Sequence, residues 1–134
     1  FGLKDYQQLK KIEKLIDKSF PDIQIYGIET IRDQDGLALS SRNKLINKPN
    51  REIYINFINT MNKFISNFDP ETEIQDANQK LNSFIKETID QIKKFEYCEF
   101  RSVEDMSMNG KVKNSRLFMA FYILNTRLID NLKT

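Results

Sequence analysis

The chain has 134 residues, of which 40% are apolar and 30% charged, and these proportions are typical of an ordinary globular domain. Its 21 basic and 19 acidic residues leave a formal net charge of +2, which gives no electrostatic reason to expect a nucleic acid or an anionic membrane as partner. One cysteine cannot form an internal disulfide, and no apolar run approaches the ~20 residues of a membrane span, so we expect a cytoplasmic protein.

The N-terminal segment predicts a helix that begins within a group of polar residues. The sequence opens Phe-Gly-Leu-Lys-Asp-Tyr-Gln-Gln, and apolar residues then recur at helical spacing until Pro21. Lys4 and Gln8 are four residues apart and would share one helix face. Because free N–H groups and the helix dipole favour an anion at a helix N-terminus, the Lys4 ammonium would reinforce such a site. An ordinary solvated first turn is the alternative.

A loop rich in phosphate-binding groups follows. Three β-branched residues first predict a strand, and they are Ile23, Ile25 and Ile28. Residues 35–43 then read Asp-Gly-Leu-Ala-Leu-Ser-Ser-Arg-Asn, in which Gly36 allows a sharp turn. The hydroxyls of Ser40 and Ser41 can donate to phosphate oxygens, and the Arg42 guanidinium can bridge two of them. A plain loop with a serine N-cap and no ligand fits the same residues.

The remaining residues predict two amphipathic helices followed by three strands. The apolar stripes, both predicted to be core, are Ile53, Phe57, Met61, Phe64 and Phe68, and then Ile74, Ala77, Leu81, Phe84, Thr88 and Ile92. Asp69-Pro70-Glu71 is predicted to start the second helix, as N-cap, first helical residue and first-turn acid. Runs from Phe95 to Val103, Arg116 to Leu124 and Arg127 to Leu132 predict an antiparallel sheet, with Asn109-Gly110 and Asn125-Thr126 in its connections.

Several polar residues have structural interpretations. Cys98 lies in a strand-like run and is interpreted as a small buried apolar residue, because no histidine is present to activate its thiol. Asp33 and Asp35 are interpreted as turn formers, and no Cys/His set for a metal is present. Arg127 and Asp130 are compatible with a structural ion pair. Three cations could also approach a phosphate from the sheet, and the sequence alone does not place them: Lys113, Arg116 and Arg127.

Taken together, the two polar segments resemble the pantothenate synthetases, the family of pantoate beta-alanine ligases. Members carry Phe-Gly-x-Lys-Asp-Tyr-Gln-Gln and, further along, Asp-Gly-Leu-Ala-x-Ser-Ser-Arg-Asn, and residues 97–101 and 125–131 resemble the family's C-terminal strands. The resemblance implies an α/β fold. Residues 1–31 would end a Rossmann-like, nucleotidyltransferase-type ATP-binding core, and residues 32–134 would form a lid domain with a three-stranded antiparallel sheet and helices.

The resemblance also implies an activity and a role for each motif residue. It implies an ATP-dependent ligase of coenzyme A precursor synthesis that joins pantoate to beta-alanine through a pantoyl adenylate, with AMP and pyrophosphate as products. Lys4 would contact the ATP phosphates, Gln8 would hydrogen-bond pantoate, and Ser40, Ser41 and Arg42 would hold the triphosphate. The remaining ATP-binding positions implied by the family are Gly2, Asp5 and the backbone near Ile31. Mg²⁺ would be bound mainly through ATP and an N-terminal half, with no metal ligand in this chain.

One departure from the family pattern is the complete absence of histidine, because the family has a His-x-Gly-His segment near its N-terminus. We therefore expect the chain to be the C-terminal half of the enzyme, dependent on a missing N-terminal half and inactive alone. The resemblance also implies that the full-length protein is a homodimer. Two alternatives are a non-catalytic nucleotide-binding or interaction module that keeps the lid fold, and a piece of an aminoacyl-tRNA synthetase. The second is disfavoured by Lys-Asp-Tyr-Gln-Gln and by the near-neutral charge.

Overall fold

Three strands form one antiparallel sheet in the order β1-β2-β3 in the computed structural model, which describes all residues 1–134. The strands are β1 (Lys94–Ser102), β2 (Ser115–Ile123) and β3 (Thr126–Lys133). In the register of the sheet, Phe118 of β2 lies opposite Glu99 of β1 and Asn131 of β3. The predicted three-stranded sheet is confirmed, and each boundary lies close to the predicted one.

One face of the sheet carries the core. Helices α2 (Lys48–Ser66) and α3 (Ile74–Thr88) cover it, and the Asn47 side chain caps the start of α2 by accepting from the Asn50 N–H at 3.1 Å. The Phe57 ring meets Phe121 edge-on with centroids 4.8 Å apart. Both predicted stripes therefore face the core, except that Thr88 at the end of α3 is exposed.

The predicted start of α3 is wrong. Asp69 caps a turn, accepting the Glu71 N–H at 2.8 Å, and α3 begins only at Ile74. The cause is that residues 112 and 113 bind the carbonyls that a helix starting at Pro70 would use. The carbonyl of Pro70 accepts from the Lys113 N–H at 3.1 Å, and that of Thr72 accepts from the Val112 N–H at 2.9 Å. Carbonyls used in this way cannot begin a helical ladder.

The predicted strand from Ile23 to Ile28 is also wrong. The segment lies outside every strand and makes a single parallel bridge, between Gly2 and Ile28. Its ladder-type hydrogen bonds are made with residues 1–3, where the Phe1 carbonyl accepts from the Ile28 N–H at 2.7 Å and the Ile28 carbonyl accepts from the Leu3 N–H at 2.8 Å. A strand needs a longer partner than this to form a ladder.

Helix α1 (Tyr6–Ser19) continues from a 3-10 turn, Leu3–Asp5, and lies against the opposite face of the sheet. Its anchor is Tyr6, whose ring centroid lies 5.5 Å from that of Phe118 and whose hydroxyl donates to the Val103 carbonyl at 2.9 Å. No helix in the structure has the length and apolar character needed to cross a bilayer. The division of the chain at residue 31 into a core remnant and a lid stays a prediction.

Candidate functional site

The N-terminal polar segment and the Ser-Ser-Arg loop lie side by side. The Lys4 ammonium donates to the carbonyl of Leu39 at 3.3 Å, across 35 positions of sequence. Leu39 directly precedes Ser40, so this contact brings Lys4 to the first of the predicted phosphate-binding hydroxyls. The two motifs that sequence analysis singled out are thus parts of one surface.

A short hairpin presents the loop. The Ile31 carbonyl accepts from the Leu39 N–H at 2.9 Å, and the Leu37 carbonyl accepts from the Asp33 N–H at 2.9 Å. Gly36 closes the turn with a φ of 89°, a conformation that side chains disfavour. Ile31 therefore joins the site through its backbone, while its side chain is 68% exposed.

Arg51 of α2 fastens the tip of this hairpin. Its guanidinium contacts the carboxylates of Asp33 at 2.6 Å and Asp35 at 2.5 Å. These hydrogen bonds hold the pKa of both carboxyls below the usual value. Asp35 also accepts from the Leu37 N–H at 3.3 Å, which is the contact of a turn former, as the sequence predicts.

The loop itself leaves its polar groups available. Ser40 caps the 3-10 turn Ser41–Leu45 by accepting the Arg42 N–H at 3.2 Å, which agrees with the N-cap interpretation. The side chains of Ser41 and Arg42 are exposed, and the Arg42 guanidinium makes no ion pair. An exposed cation beside two hydroxyls can receive an anionic ligand without first breaking a salt bridge.

The electrostatics at Lys4 favour an anion. Burial lowers the pKa of Lys4 below its usual value, the Asp130 and Asp5 carboxylates oppose that shift, and the guanidinium groups of Arg42 and Arg32 add to it. A polyanion placed between these cations would stabilise the charged ammonium. The Lys4 pKa would then rise, and binding and protonation would support each other.

A cleft of about 280 Å³ between α1 and the sheet joins further predicted residues to Lys4. The lining residues that matter here are Lys4, Asp5, Gln8, Lys11, Tyr97 and Arg127. Gln8 therefore faces the same space as Lys4, as a substrate-binding role requires, whereas Ser40, Ser41 and Arg42 lie outside this cleft and approach Lys4 from the hairpin side. Gly2 does not line the cleft; it lies two residues before Lys4 and bridges to Ile28.

The predicted Arg127–Asp130 ion pair is wrong. Arg127 instead contacts the Glu96 carboxylate, with Nε and Nη2 at 2.9 Å and 2.7 Å from one oxygen. Positions three apart on a strand project to opposite faces, so Asp130 cannot meet Arg127 along β3. Of the other unplaced cations, Lys113 is held by Glu71, away from Lys4.

Asp130 is the centre of a buried polar network that sequence analysis missed. Its fully buried carboxylate accepts two bonds from the Arg32 guanidinium, at 2.8 Å and 2.9 Å, and one from the Tyr54 hydroxyl at 2.5 Å. Burial, the Asp130 charge and this hydrogen bond raise the Tyr54 pKa, so the phenol stays protonated and donates. Arg32 and Tyr54 lie 98 and 76 positions before Asp130 in the sequence, so no local sequence pattern connects the three residues.

Two further chemistries have no support at this site. The structure contains no group of three or more His, Cys, Asp or Glu residues arranged to hold a metal ion. Burial raises the pKa of the Cys98 thiol to about 12, which disfavours the thiolate that a nucleophile would need. The fold and these residues therefore define an α/β domain with a candidate anion-binding site made of cations and hydroxyls.

Comparison with known proteins identifies the family. The family model described as Pantoate-beta-alanine ligase matches residues 1–133. Pantothenate synthetases from Sulfurihydrogenibium sp. and Shewanella sediminis are 38% and 37% identical to the chain, over 99% and 98% of its length and 48% and 46% of theirs. The chain belongs to the pantoate-beta-alanine ligase family, and it spans about half the length of the curated relatives that it matches.

Solved structures agree with this assignment. A crystal structure of pantothenate synthetase from Thermus thermophilus matches with a TM-score of 0.78 and 26% identity, over 99% of this chain and 48% of that one. A pantoate-beta-alanine ligase from Francisella tularensis, complexed with beta-gamma ATP and beta-alanine, matches with a TM-score of 0.60 and 32% identity, over 98% and 42%. The predicted α/β lid fold is confirmed.

Proposed function

We propose that the chain is the C-terminal part of an ATP-dependent ligase that joins pantoate to beta-alanine through a pantoyl adenylate. Family membership and the share of the relatives' length support this assignment. The single observation that carries it is the contact of Lys4 with Leu39, because it assembles two separate motifs of the family into one anion-binding surface.

The chemistry of adenylation suits this surface. Pantoate is a carboxylate that is already ionised at neutral pH, so no general base is needed to activate it. What the reaction needs is alignment of that carboxylate with the α-phosphate and stabilisation of the charge on departing pyrophosphate. Lys4 and Arg42 supply positive charge, and Ser40 and Ser41 supply hydroxyl donors that rotate to follow the phosphate oxygens.

Each remaining motif residue has a position compatible with its proposed role. Gln8 lines the cleft beside Lys4 and would hydrogen-bond pantoate there. Asp5 and Gly2 would border ATP, and the backbone at Ile31, in the first strand of the hairpin, would contact adenine. Mg²⁺, where ATP carries it, would neutralise phosphate charge. We propose that the ion would be held mainly by ATP and by the other half of the enzyme.

A reconstitution experiment tests the proposal. A protein that combines this chain with the remaining half of the family's length should release pyrophosphate from ATP only when pantoate is present, and should form AMP and pantothenate when beta-alanine is added. Lys4→Ala should slow pyrophosphate release by roughly 10²-fold, the order expected for loss of one charge-stabilising donor. Lys14→Ala, in helix α1 that follows the Leu3–Asp5 turn, is the matched control and should leave the rate unchanged.

Three outcomes decide between the hypotheses. Pyrophosphate release without pantoate, or none at all, would contradict the ligase. ATP binding with no release under any condition would favour the alternative of a non-catalytic nucleotide-binding module.

We further propose that the isolated chain is inactive and binds ATP weakly, and that the full-length protein is a homodimer. Micromolar ATP affinity of the isolated chain in calorimetry would contradict the weak-binding proposal.

A further inference from the structure

Two consecutive residues of β3 connect the two halves of the candidate site. Side chains alternate between the faces of a strand, so Asp130 and Asn131 project in opposite directions. Asp130 points to the core face, with Leu128 and Leu132, and Asn131 points to the face that α1 covers. Both side chains are buried, and each binds a different segment of the site.

Asp130 holds the hairpin that carries the loop. Its carboxylate binds the guanidinium of Arg32 in the first strand of the hairpin, and Arg32 also donates to the Gly36 carbonyl at 3.0 Å. Through the Tyr54 hydroxyl the same carboxylate reaches the second strand, because that hydroxyl accepts from the Ala38 N–H at 3.5 Å. Both strands leading to Ser40 are thereby fixed to β3.

Asn131 holds the turn that carries the lysine. Its side-chain amide donates to the carbonyls of Leu3 at 2.8 Å and Lys4 at 3.1 Å. Its side-chain oxygen accepts from Nε of Arg116 at 2.7 Å, and this bond fixes the direction of the amide. Arg116 is itself buried and contacts Glu29 at 3.4 Å.

We propose that Asp130 and Asn131 are positioning residues that set Lys4 at a fixed distance from the Ser40–Arg42 loop. The effect on catalysis rests on the proposed function, whereas the holding of the two segments by β3 rests on the geometry alone. Because the two residues are adjacent on a paired strand, the two segments share one rigid support. A displacement of about 1 Å between catalytic groups can cost roughly 10²-fold in rate.

The test uses Asn131→Leu in the full-length protein, with Asn78→Leu as matched control. Asn78 uses its amide in the same manner, donating to the Phe100 carbonyl at 3.0 Å and accepting from the Phe100 N–H at 2.7 Å, but it binds β1 rather than the site. Both substitutions remove a backbone-binding amide without adding charge, although Asn131 is buried and Asn78 is only partly buried. Because Asn131→Leu also removes the acceptor of Arg116 Nε, it should destabilise the fold more, so the comparison rests on where the structure loosens: only Asn131→Leu should disturb Lys4.

The structural readout is amide hydrogen exchange, which needs no catalysis. Asn131→Leu should accelerate exchange of the Leu3 amide, which donates to Ile28, relative to the amides of β2. Asn78→Leu should leave that ratio unchanged. Equal acceleration in both variants, or none in Asn131→Leu, would overturn the proposal whether or not the protein proves to be a ligase.

The catalytic readout is a double-mutant cycle on pantoate-dependent pyrophosphate release. Asn131→Leu should lower kcat roughly 10- to 100-fold, and it should add little in a Lys4→Ala background because it acts through Lys4. Effects that multiply would overturn the positioning role. If Asn131→Leu does not fold, Arg116→Gln replaces it, with a smaller effect in the same direction. An inactive parent enzyme would instead contradict the proposed function. The hydrogen-exchange result alone would then decide whether Asn131 positions the Lys4 turn.

Discussion

Asp130→Asn is the most informative perturbation of the buried network, because it removes one charge and almost no volume. The carboxylate accepts two bonds from Arg32 and one from Tyr54. An amide offers a single acceptor oxygen, and its NH₂ group would face the Arg32 N–H groups. The substitution thus leaves a guanidinium whose side chain is only 28% exposed without its counter-charge.

The magnitude follows from these losses. A hydrogen bond to a charged group contributes about 1.5–3 kcal/mol, and breaking a fully buried pair costs about 3–5 kcal/mol. Because Arg32 retains some contact with solvent, we expect about 2–4 kcal/mol of destabilisation. Against a total stability of roughly 5–15 kcal/mol this is a large fraction, and it corresponds to a melting temperature lower by roughly 10 °C.

The chain contains a matched control for this prediction. Glu96 accepts two hydrogen bonds from the Arg127 guanidinium, both at one oxygen, and one from the Tyr122 hydroxyl at 2.8 Å. It thus binds an arginine and a tyrosine as Asp130 does, but it is exposed to solvent. Glu96→Gln should hardly change the free energy of unfolding, because water screens and replaces such bonds. Urea unfolding followed by circular dichroism compares the two. Equal, small effects of both substitutions would refute the reasoning that burial makes the Asp130 network structurally important.

Three further predictions concern the hairpin and its loop. Arg42→Ala in the full-length enzyme should slow pantoate-dependent pyrophosphate release by ~10²-fold, measured by a coupled pyrophosphate assay. Arg51→Gln should destabilise the protein only slightly at neutral pH, because its aspartate partners are exposed to solvent, and not at all in acid. The lowered pKa values of Asp33 and Asp35 stabilise the fold above the carboxyls' ordinary value of 3.8, and that contribution is lost as pH falls through the lowered values. The stability difference between parent and variant should therefore begin to shrink below pH 3.8 and vanish only below the lowered pKa values. Gly36→Ala should cost about 1–2 kcal/mol in urea unfolding, from backbone strain alone, because the added Cβ would meet no atom within 4 Å.

Each of these three predictions has a control or a condition in which no effect is expected. Lys44→Ala, in the same exposed turn as Arg42, should leave pyrophosphate release unchanged, and a loss equal to that of Arg42→Ala would make the effect one of general charge. Persistence of the Arg51→Gln destabilisation in strong acid would exclude the two aspartates as its cause. Gly2→Ala should not change stability, because Gly2 has an ordinary φ of −73° and open space around it.

Elements with a strong internal period could be predicted from the sequence. The spacing of the apolar stripes in α2 and α3 assigns the face of each helix that packs on the core. In β2 the run from Leu117 to Phe121 is apolar at every position and buried on both faces, so its composition predicts a buried strand but does not say which residues face the core. Each of these elements satisfies its own hydrogen bonds or pairs with a neighbour that follows closely in sequence, so local pattern and final structure agree.

Where a distant segment competes for the backbone, the sequence prediction was wrong. The carbonyls of Pro70 and Thr72 bind residues 112 and 113, so the predicted helix start became a turn. The β-branched run ending at Ile28 has β propensity, but its one bridge is to Gly2, so it forms no ladder. Propensity describes what a segment can form, whereas the available partner decides what it does form.

The same distinction, between residues recognised from a local pattern and residues that act through distant partners, applies to the candidate site. The residues proposed to touch a ligand lie in short turns, where Lys4 and the Ser40–Arg42 loop form recognisable sequence motifs. The residues that hold those turns in place are buried in β3, and their side chains act across 98 or more positions of sequence. Asp130 and Asn131 therefore look like ordinary strand residues in the sequence. The rigidity that the proposed chemistry requires comes from them, so substitutions at Asp130 and Asn131 should alter catalysis by displacing the Ser40–Arg42 loop and Lys4, respectively.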